Sequence, residues 1–400
     1  MSTHKKVIIK SMKKLWLLLL MVMVALGAYR YSRPVPAATA LISVPQAPTT
    51  NAIDLPWPVA SQTSLGAKDY GLLSEHGLQQ PAPIASIAKI ITALAVLQKK
   101  PITGGQGPTI SLTNDDVVLF NKYYTQNGSV AQVAAGEKIT EYQALEAILL
   151  PSANNMADTM AIWAFGSIDN YVAYANKMVK ILGMTSTDVG DASGFSDTTL
   201  STASDLVKLG IAAITNPSIA NITSQPSATI PVAGAINNVN WLLGQDGVFG
   251  IKTGNTDKAG GCYLFAAKRQ IAGQEVQLVG AVLNAPELNQ AISSADTLIK
   301  ASDANFQLIT PVTKGQKLDS YITAWGSKAD VITHKDLSLL VWKGSNVKIL
   351  NGPSELKPPA ALGHQTGSIT INDGEKSVST PLYLSQSIKG PSWYWRLIRH

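Results

Sequence analysis

The chain begins with an apolar run, Leu15 to Tyr29, preceded by Lys5, Lys6, Lys10, Lys13 and Lys14 and followed by Arg30 and Arg33. More positive charge before the run than after it keeps the N-terminus in the cytoplasm and exports the remainder of the chain. The run gives roughly 22 Å of helix. That matches the longest signal-peptide cores and falls short of a bilayer span, although snorkelling lysines lengthen it. Ala38-Thr39-Ala40 has the small-x-small form of a leader cleavage site but lies beyond two arginines and two prolines. Residues 1–33 therefore read as a cytoplasmic tail with either an uncleaved signal anchor or a signal peptide. Residues 34–62 carry Pro34, Pro36, Pro45, Pro48, Pro56 and Pro58 without a helical period, which predicts an extended linker.

From residue 63 to 305 the period alternates between strand and helix. Asp69 to Gln79 reads as a short strand or hairpin. Ile84 to Lys99 is apolar on all sides, the pattern of a buried helix. Helices are predicted on both sides of Pro151, then from Ile168 to Leu182, with Gly183 at its C-cap, and from Thr202 to Ile214. Gly247–Thr253, Gly261–Lys268 and Val276–Leu283 read as three strands with glycine-containing turns, and Asp296 to about Ala304 as a closing helix. A helical block between an early strand and late strands implies an α/β (α+β) sheet with an inserted helical subdomain. From 306 to 388 short strands recur between Gly-Ser, Asn-Gly and Asp-Gly turns, which predicts a small all-β domain with Trp325 and Trp342 in its core. Residues 389–400 interleave tryptophan, tyrosine and arginine. This suits either a membrane interface or packing on the tail's own domain.

Composition narrows the class. The chain has 400 residues, 46% of them hydrophobic and 14% charged, enough for two or three domains with real cores. The net charge of +6 is modest and sits mainly at the two ends. It suits an anionic surface there, and no nucleic-acid-binding signature accompanies it. A single cysteine, Cys262, precludes an intramolecular disulfide; it reads as a buried strand residue. His4, His76, His334, His364 and His400 form no metal-ligand spacing, and no cofactor is implied. A serine–histidine triad would have to use His76, and no G-x-S-x-G turn supports one.

Three motifs supply chemistry that needs no histidine: Ser86-Ile87-Ala88-Lys89, Ser152-Ala153-Asn154 and Lys252-Thr253-Gly254. A spacing of three on a helix puts Ser86 and Lys89 on one face. Isoleucine and alanine neighbours desolvate the lysine and lower its pKa, so a neutral amine can take the serine proton. Ser152 can pass a proton between Lys89 and a leaving amine. Asn154 can hold a substrate amide and orient Lys89. Lys252 adds positive potential, Thr253 offers a hydroxyl to a carboxylate, and Gly254 lets a substrate backbone approach. The backbone N–H of Asn255 can pair with that of Ser86 as an oxyanion hole. Each motif alone is weak; the ordered trio is the set shared by penicillin-binding proteins and class A β-lactamases.

The surroundings sharpen this. "PIASIAKIITALAVL", "AAGEKITEYQALEAILLPSANNMADTMA", "LGMTSTDVGDASGFSDTTLSTASDLVKLG" and "GVFGIKTGNTDKAGGCYLFAAKR" resemble blocks of the low-molecular-mass penicillin-binding proteins, the serine D-alanyl-D-alanine carboxypeptidases. The resemblance implies a penicillin-binding/β-lactamase-like transpeptidase fold over 63–305 and a C-terminal domain over 306–388. It also implies removal of the terminal D-Ala from peptidoglycan stem peptides through an acyl-enzyme on Ser86, which β-lactam antibiotics would also acylate, on the extracytoplasmic face of a bacterial membrane. Three departures stand out: Asn255 where many members have histidine, Asn155-Met156 where Asp-Ala is common, and Asn284-Ala285-Pro286-Glu287 where some members carry a carboxylate-binding arginine. The last leaves D,D-endopeptidase cleavage of cross-links open as an alternative. Class A β-lactamases use a Glu-x-x-Leu-Asn loop between the second and third motifs, and this chain has none there. A non-catalytic wall-binding protein would have lost motif residues that are all present.

Overall fold

The structure, a computed structural model, describes residues 3–40, 45–59 and 61–399. Residues 1–2, positions 41–44 and 60 of the expected linker, and His400 of the expected tail lie outside the described residues. The chain divides into two compact units, Asn51–Gln307 and Met1–Thr50 with Leu308–His400.

In the larger unit five strands form an antiparallel sheet: β2 (Gln62–Ala67), β3 (Gly71–His76), β4 (Val248–Thr256), β5 (Gly260–Ile271) and β6 (Gln274–Ala285). Their order is β4-β5-β6-β2-β3. The early hairpin thus joins the late strands through β2, whose Leu65 faces Gly280 and whose Thr63 faces Val282 on β6. Consecutive β5 residues Cys262 to Ala267 are all buried, so both faces of the sheet are covered, and the sequence reads there as a continuous apolar run.

The helical block lies between β3 and β4 in the chain: α2 (Ala88–Lys99), α3 (Glu141–Leu149), α4 (Asn154–Phe165), α5 (Ile168–Ile181) and α6 (Ala203–Thr215). Helix α2 is buried on every side from Ala88 to Leu97, as its composition predicts. Thr202 caps α6 by accepting from Asp205 N at 3.1 Å. The closing helix α7 runs over Leu288–Ser302, eight residues earlier than the predicted start. Its apolar stripe, Ala291, Ile292, Ala295, Leu298 and Ile299, comes soon after Glu287.

One side chain ties the loop before the middle motif to α4. Asn155 Nδ2 donates to Ala131 O at 2.9 Å, and Ala131 N donates to Asn155 Oδ1 at 3.1 Å. Asn155 has no exposed surface.

The smaller unit holds a six-stranded antiparallel sheet of β1 (Thr39–Ala40), β7 (Lys317–Ile322), β8 (Lys328–Thr333), β9 (Lys348–Pro353), β10 (Gln365–Asn372) and β11 (Ser377–Leu384). Their order is β1-β7-β8-β11-β10-β9. Trp342 is buried, as expected. Trp325 is not a core residue: it is half-buried and sits edge-on to Trp395, with ring centroids 5.3 Å apart. The first helix, α1 (Thr3–Ser32), belongs to this unit, as does α8 (Trp393–Ile398). No helix among the described residues is long and apolar enough to cross a membrane, in line with the short apolar run. The expected linker carries specific contacts: Ala38 and Leu55 are buried, and Ile53 N donates to Asn305 Oδ1 at 2.7 Å.

Replacing Asn155 with alanine leaves both backbone groups of Ala131 without their partner. This should lower stability by about 1–3 kcal/mol, measured by denaturant unfolding with an unchanged m-value.

Candidate active site

The three motifs meet at one cleft of the larger unit. Ser86 sits in a 3-10 turn, Ala85–Ile87, that runs directly into α2, with Lys89 in the first turn of that helix. Ala85 has φ +47°, a left-handed conformation that a residue with a Cβ adopts at a cost. Two glycines let the chain crowd around this turn. A Cβ on Gly194 would lie 1.8 Å from Ala85 O, and one on Gly254 would lie 3.1 Å from Ser86 N. The Ser86 turn is therefore held between β4 and the 193–196 segment by close backbone contacts, of which the one at Gly194 has no room for a Cβ.

Lys89 has no exposed surface, and its Nζ has three contacts. It donates to Asn154 Oδ1 at 2.7 Å and to Ser193 O at 2.6 Å, and it lies 2.9 Å from Ser86 Oγ. An amide oxygen and a carbonyl only accept. They take two N–H bonds, which leaves the third position of nitrogen facing the serine hydroxyl. Burial holds the amine well below the ordinary lysine range, and the neighbouring Lys252 charge lowers it further. Asp191 and Asp158 oppose both effects. An uncharged amine has two hydrogens and one lone pair, so with both hydrogens engaged its lone pair faces Ser86.

The second motif breaks the chain between α3 and α4. Ser152 adopts φ +70° and is buried, and its Oγ has no hydrogen-bond partner among the described residues. Asn154 opens α4, and its backbone N donates to Ser129 O at 2.8 Å. The third motif lies on β4, the terminal strand of the sheet, whose outer edge has no strand partner among the described residues. Lys252 and Thr253 are buried, while Asn255 is exposed. Desolvation alone lowers Lys252 to about 7.

The cleft has a volume of about 690 Å³. Ser86, Asn154 and Asn255 line it, together with the 126–129 loop, Gly194-Phe195 and Lys258. Lys89, Ser152, Lys252, Thr253 and Gly254 are buried behind this lining or along β4. His76 lies elsewhere, stacked on Trp57 at 5.5 Å. Cys262 is buried, which pushes its thiol up to about 12. Asn284 does not line the cleft; it accepts from Gln62 Nε2 at 3.3 Å and donates to Ala259 O at 3.4 Å.

Motif reading misses two contributors. Ser193 acts through its carbonyl, and Gly194 through its lack of a side chain, so neither shows a chemical signature in sequence. Their position within "DASGFSD", between the second and third motifs, is the signal that marks them. Asp191 organises that turn by accepting from Thr199 Oγ1 at 2.6 Å and Ser193 Oγ at 3.1 Å.

A chain with this site is similar over most of its length to known enzymes. It is 26% identical over 340 residues to D-alanyl-D-alanine carboxypeptidase DacA of Escherichia coli K12, covering 82% of this chain and 83% of that one. It is 30% identical over 192 residues to the D-alanyl-D-alanine endopeptidase of the same organism, covering 45% of this chain and 57% of the relative. Its fold matches penicillin binding protein 5 of Haemophilus influenzae with a TM-score of 0.60 at 19% identity, over 85% of this chain and all of that one. The profile of the D-alanyl-D-alanine carboxypeptidase family matches residues 68–287. With more than half of its length matched, the chain belongs to the D-alanyl-D-alanine carboxypeptidase family, and it is a serine-type, low-molecular-mass penicillin-binding protein of that family.

Proposed function

We propose that this carboxypeptidase works through Ser86 as nucleophile and Lys89 as its general base. The observation that carries the proposal is the Lys89 amine, wholly buried, with two acceptor-only partners and Ser86 Oγ 2.9 Å away. The uncharged amine takes the Ser86 proton as Oγ attacks the carbonyl between two D-alanines of a peptidoglycan stem peptide. The tetrahedral oxyanion is held by the N–H groups of Ser86 and Asn255. Collapse expels D-Ala, whose amine receives a proton by way of Ser152 and Lys89. Water then releases the shortened peptide by the reverse sequence. A β-lactam enters the same path and leaves Ser86 acylated.

The remaining residues bind. A stem peptide lies antiparallel along the free edge of β4, as an added strand does. Gly254 gives it room, Thr253 offers its hydroxyl to the terminal carboxylate, and Lys252 adds positive potential. Asn154 holds Lys89 through its oxygen and presents its amide nitrogen to the peptide. D,D-endopeptidase action is a second reading, favoured by a cleft lining that contains no arginine and by Asn284-Ala285-Pro286-Glu287 standing where some members carry one. Defined muropeptides separate the two: released D-Ala marks a carboxypeptidase, whereas cross-linked dimers converted to monomers mark an endopeptidase.

The family acts on the bacterial cell wall, outside the cytoplasm. We propose that both ends of the smaller unit meet the membrane there. The apolar residues of α1 from Leu15 to Val24 are exposed, as are Trp393, Tyr394 and Ile398 on α8. Arginines flank both sets, a pattern suited to an anionic lipid interface.

Incubation with a penicillin followed by peptide mass spectrometry should place the adduct on Ser86 and find none in Ser86→Ala; an equal adduct in that variant contradicts the assignment. Lys89→Met should slow acylation at least about 10²-fold while leaving Ser86 in place. In the unaltered enzyme the acylation rate constant should rise with pH through the lowered pKa of Lys89, because only the uncharged amine accepts the proton.

Lys252 adds a stability prediction. Its pKa is about 7 in the fold against 10.5 ordinarily, so between these values the unfolded chain binds more protons and stability rises with pH. Lys252→Met should therefore stabilise the fold most near and below pH 7 and progressively less toward pH 10.5, while acylation slows. Urea melts across this pH range measure the difference.

A further inference from the structure

We infer that the segment just after α1 is a retained structural part of the C-terminal β-domain, and that Ala38-Thr39-Ala40 serves as its clasp and not as a leader cleavage site. The small-x-small pattern has a second physical cause. In a strand alternate side chains point the same way, and the pattern then places two small residues on one face. Ala38 has no exposed surface and belongs to the apolar core of this domain, Thr39 is exposed, and Ala40 is half-buried against that core.

The clasp joins the two ends of the sheet. On one side Thr39 pairs with Ile322 and Ala40 with Tyr321, both on β7. On the other, Ala38 exchanges both backbone hydrogen bonds with Leu356: Ala38 N donates to Leu356 O at 2.8 Å, and Leu356 N donates to Ala38 O at 3.2 Å. Leu356 follows β9, the strand at the opposite end of the sheet from β7. Tyr321, fully buried, adds a bond from its hydroxyl to Ser354 O across the same gap. Removing residues 38–40 would open both edges at once and strip the backbone partner from Leu356. Exposed sheet edges invite pairing with other chains.

The end of α1 is held as firmly. Arg399 donates to Arg30 O at 3.0 Å, Arg33 O at 2.6 Å and Pro34 O at 3.0 Å. Arg396 donates to Tyr31 O at 3.3 Å. These guanidinium groups cap the Arg30 and Tyr31 carbonyls in the last turn of α1 and the Arg33 and Pro34 carbonyls just beyond it. In return Arg30 donates to Leu397 O at 3.3 Å. Helix α8 is thus docked on a segment that cleavage after Ala40 would remove.

The test uses the full chain, exported from a bacterial host, recovered with detergent and analysed by intact mass and N-terminal sequencing. The expected product retains Ala38-Thr39-Ala40 and the α1 residues before it. A mature chain beginning at Leu41 overturns the inference. A second arm compares Ala38→Asp with Thr39→Asp in the full chain. Burying a charge at position 38 should lower the Tm of the C-terminal β-domain by at least about 4 °C, while the exposed position 39 should shift it by less than about 2 °C. Penicillin acylation of Ser86, which belongs to the other unit, should be unchanged in both. Equal Tm values for the two variants also overturn the inference.

Discussion

A lysine amine enclosed where its charge is disfavoured is the constraint on which the rest of this enzyme depends. Transfer of an ammonium from water into a closed interior is costly, and the group neutralises instead. Here the enclosure is built from three directions: α2 carries Lys89, α4 brings Asn154, and the 193–196 turn brings the Ser193 carbonyl. Burial and the neighbouring Lys252 charge disfavour the ammonium; both partners accept, so a neutral amine spends its two hydrogens on them and directs its lone pair to Ser86. A carboxylate in either position would stabilise the ammonium and abolish the base.

Close backbone approach is the second requirement. The proposed mechanism requires Ser86 to sit against the edge strand β4, and the turn that carries it has a strained residue, Ala85, at its start. Gly254 and Gly194 allow β4 and the 193–196 turn to close around it. The same turn that packs Gly194 against Ala85 also supplies the Ser193 carbonyl that accepts from Lys89. Ser152 is likewise in a left-handed conformation and buried, with no hydrogen-bond partner for its hydroxyl among the described residues, which suits the proton-passing role proposed for it.

Much of this is legible in the sequence because it is written in side chains. Ser86, Lys89, Asn154, Lys252 and Thr253 announce themselves by type, spacing and order, and the apolar periods of α2, β4, β5 and β6 locate the sheet and the buried helix. The illegible part acts through backbone. Ser193 contributes a carbonyl, Gly194 an absence, and the 126–129 loop a wall whose continuation is pinned by Asn155, a polar residue that reads as an ordinary helix position. The sequence pattern sets the start of α7 too late because Asn284 to Glu287 have turn composition and the apolar stripe begins only at Ala291. The region from Pro34 to Gln62 has linker composition, yet a strand of two residues within it clasps a sheet; elements that short leave no period to detect. Trp325 reads as core by size alone and instead packs on Trp395, a contact between residues far apart in the chain that no local pattern encodes.

The central claim is that burial makes Lys89 give up its charge far below the range of an ordinary lysine. Nitrogen-detected NMR of side-chain-labelled lysine, assigned with Lys89→Met, reads this directly. The Lys89 signal is expected to leave the ammonium range well below the pH at which an ordinary lysine does, because burial disfavours the charge. A Lys89 signal that stays in the ammonium range up to about pH 9 would contradict it.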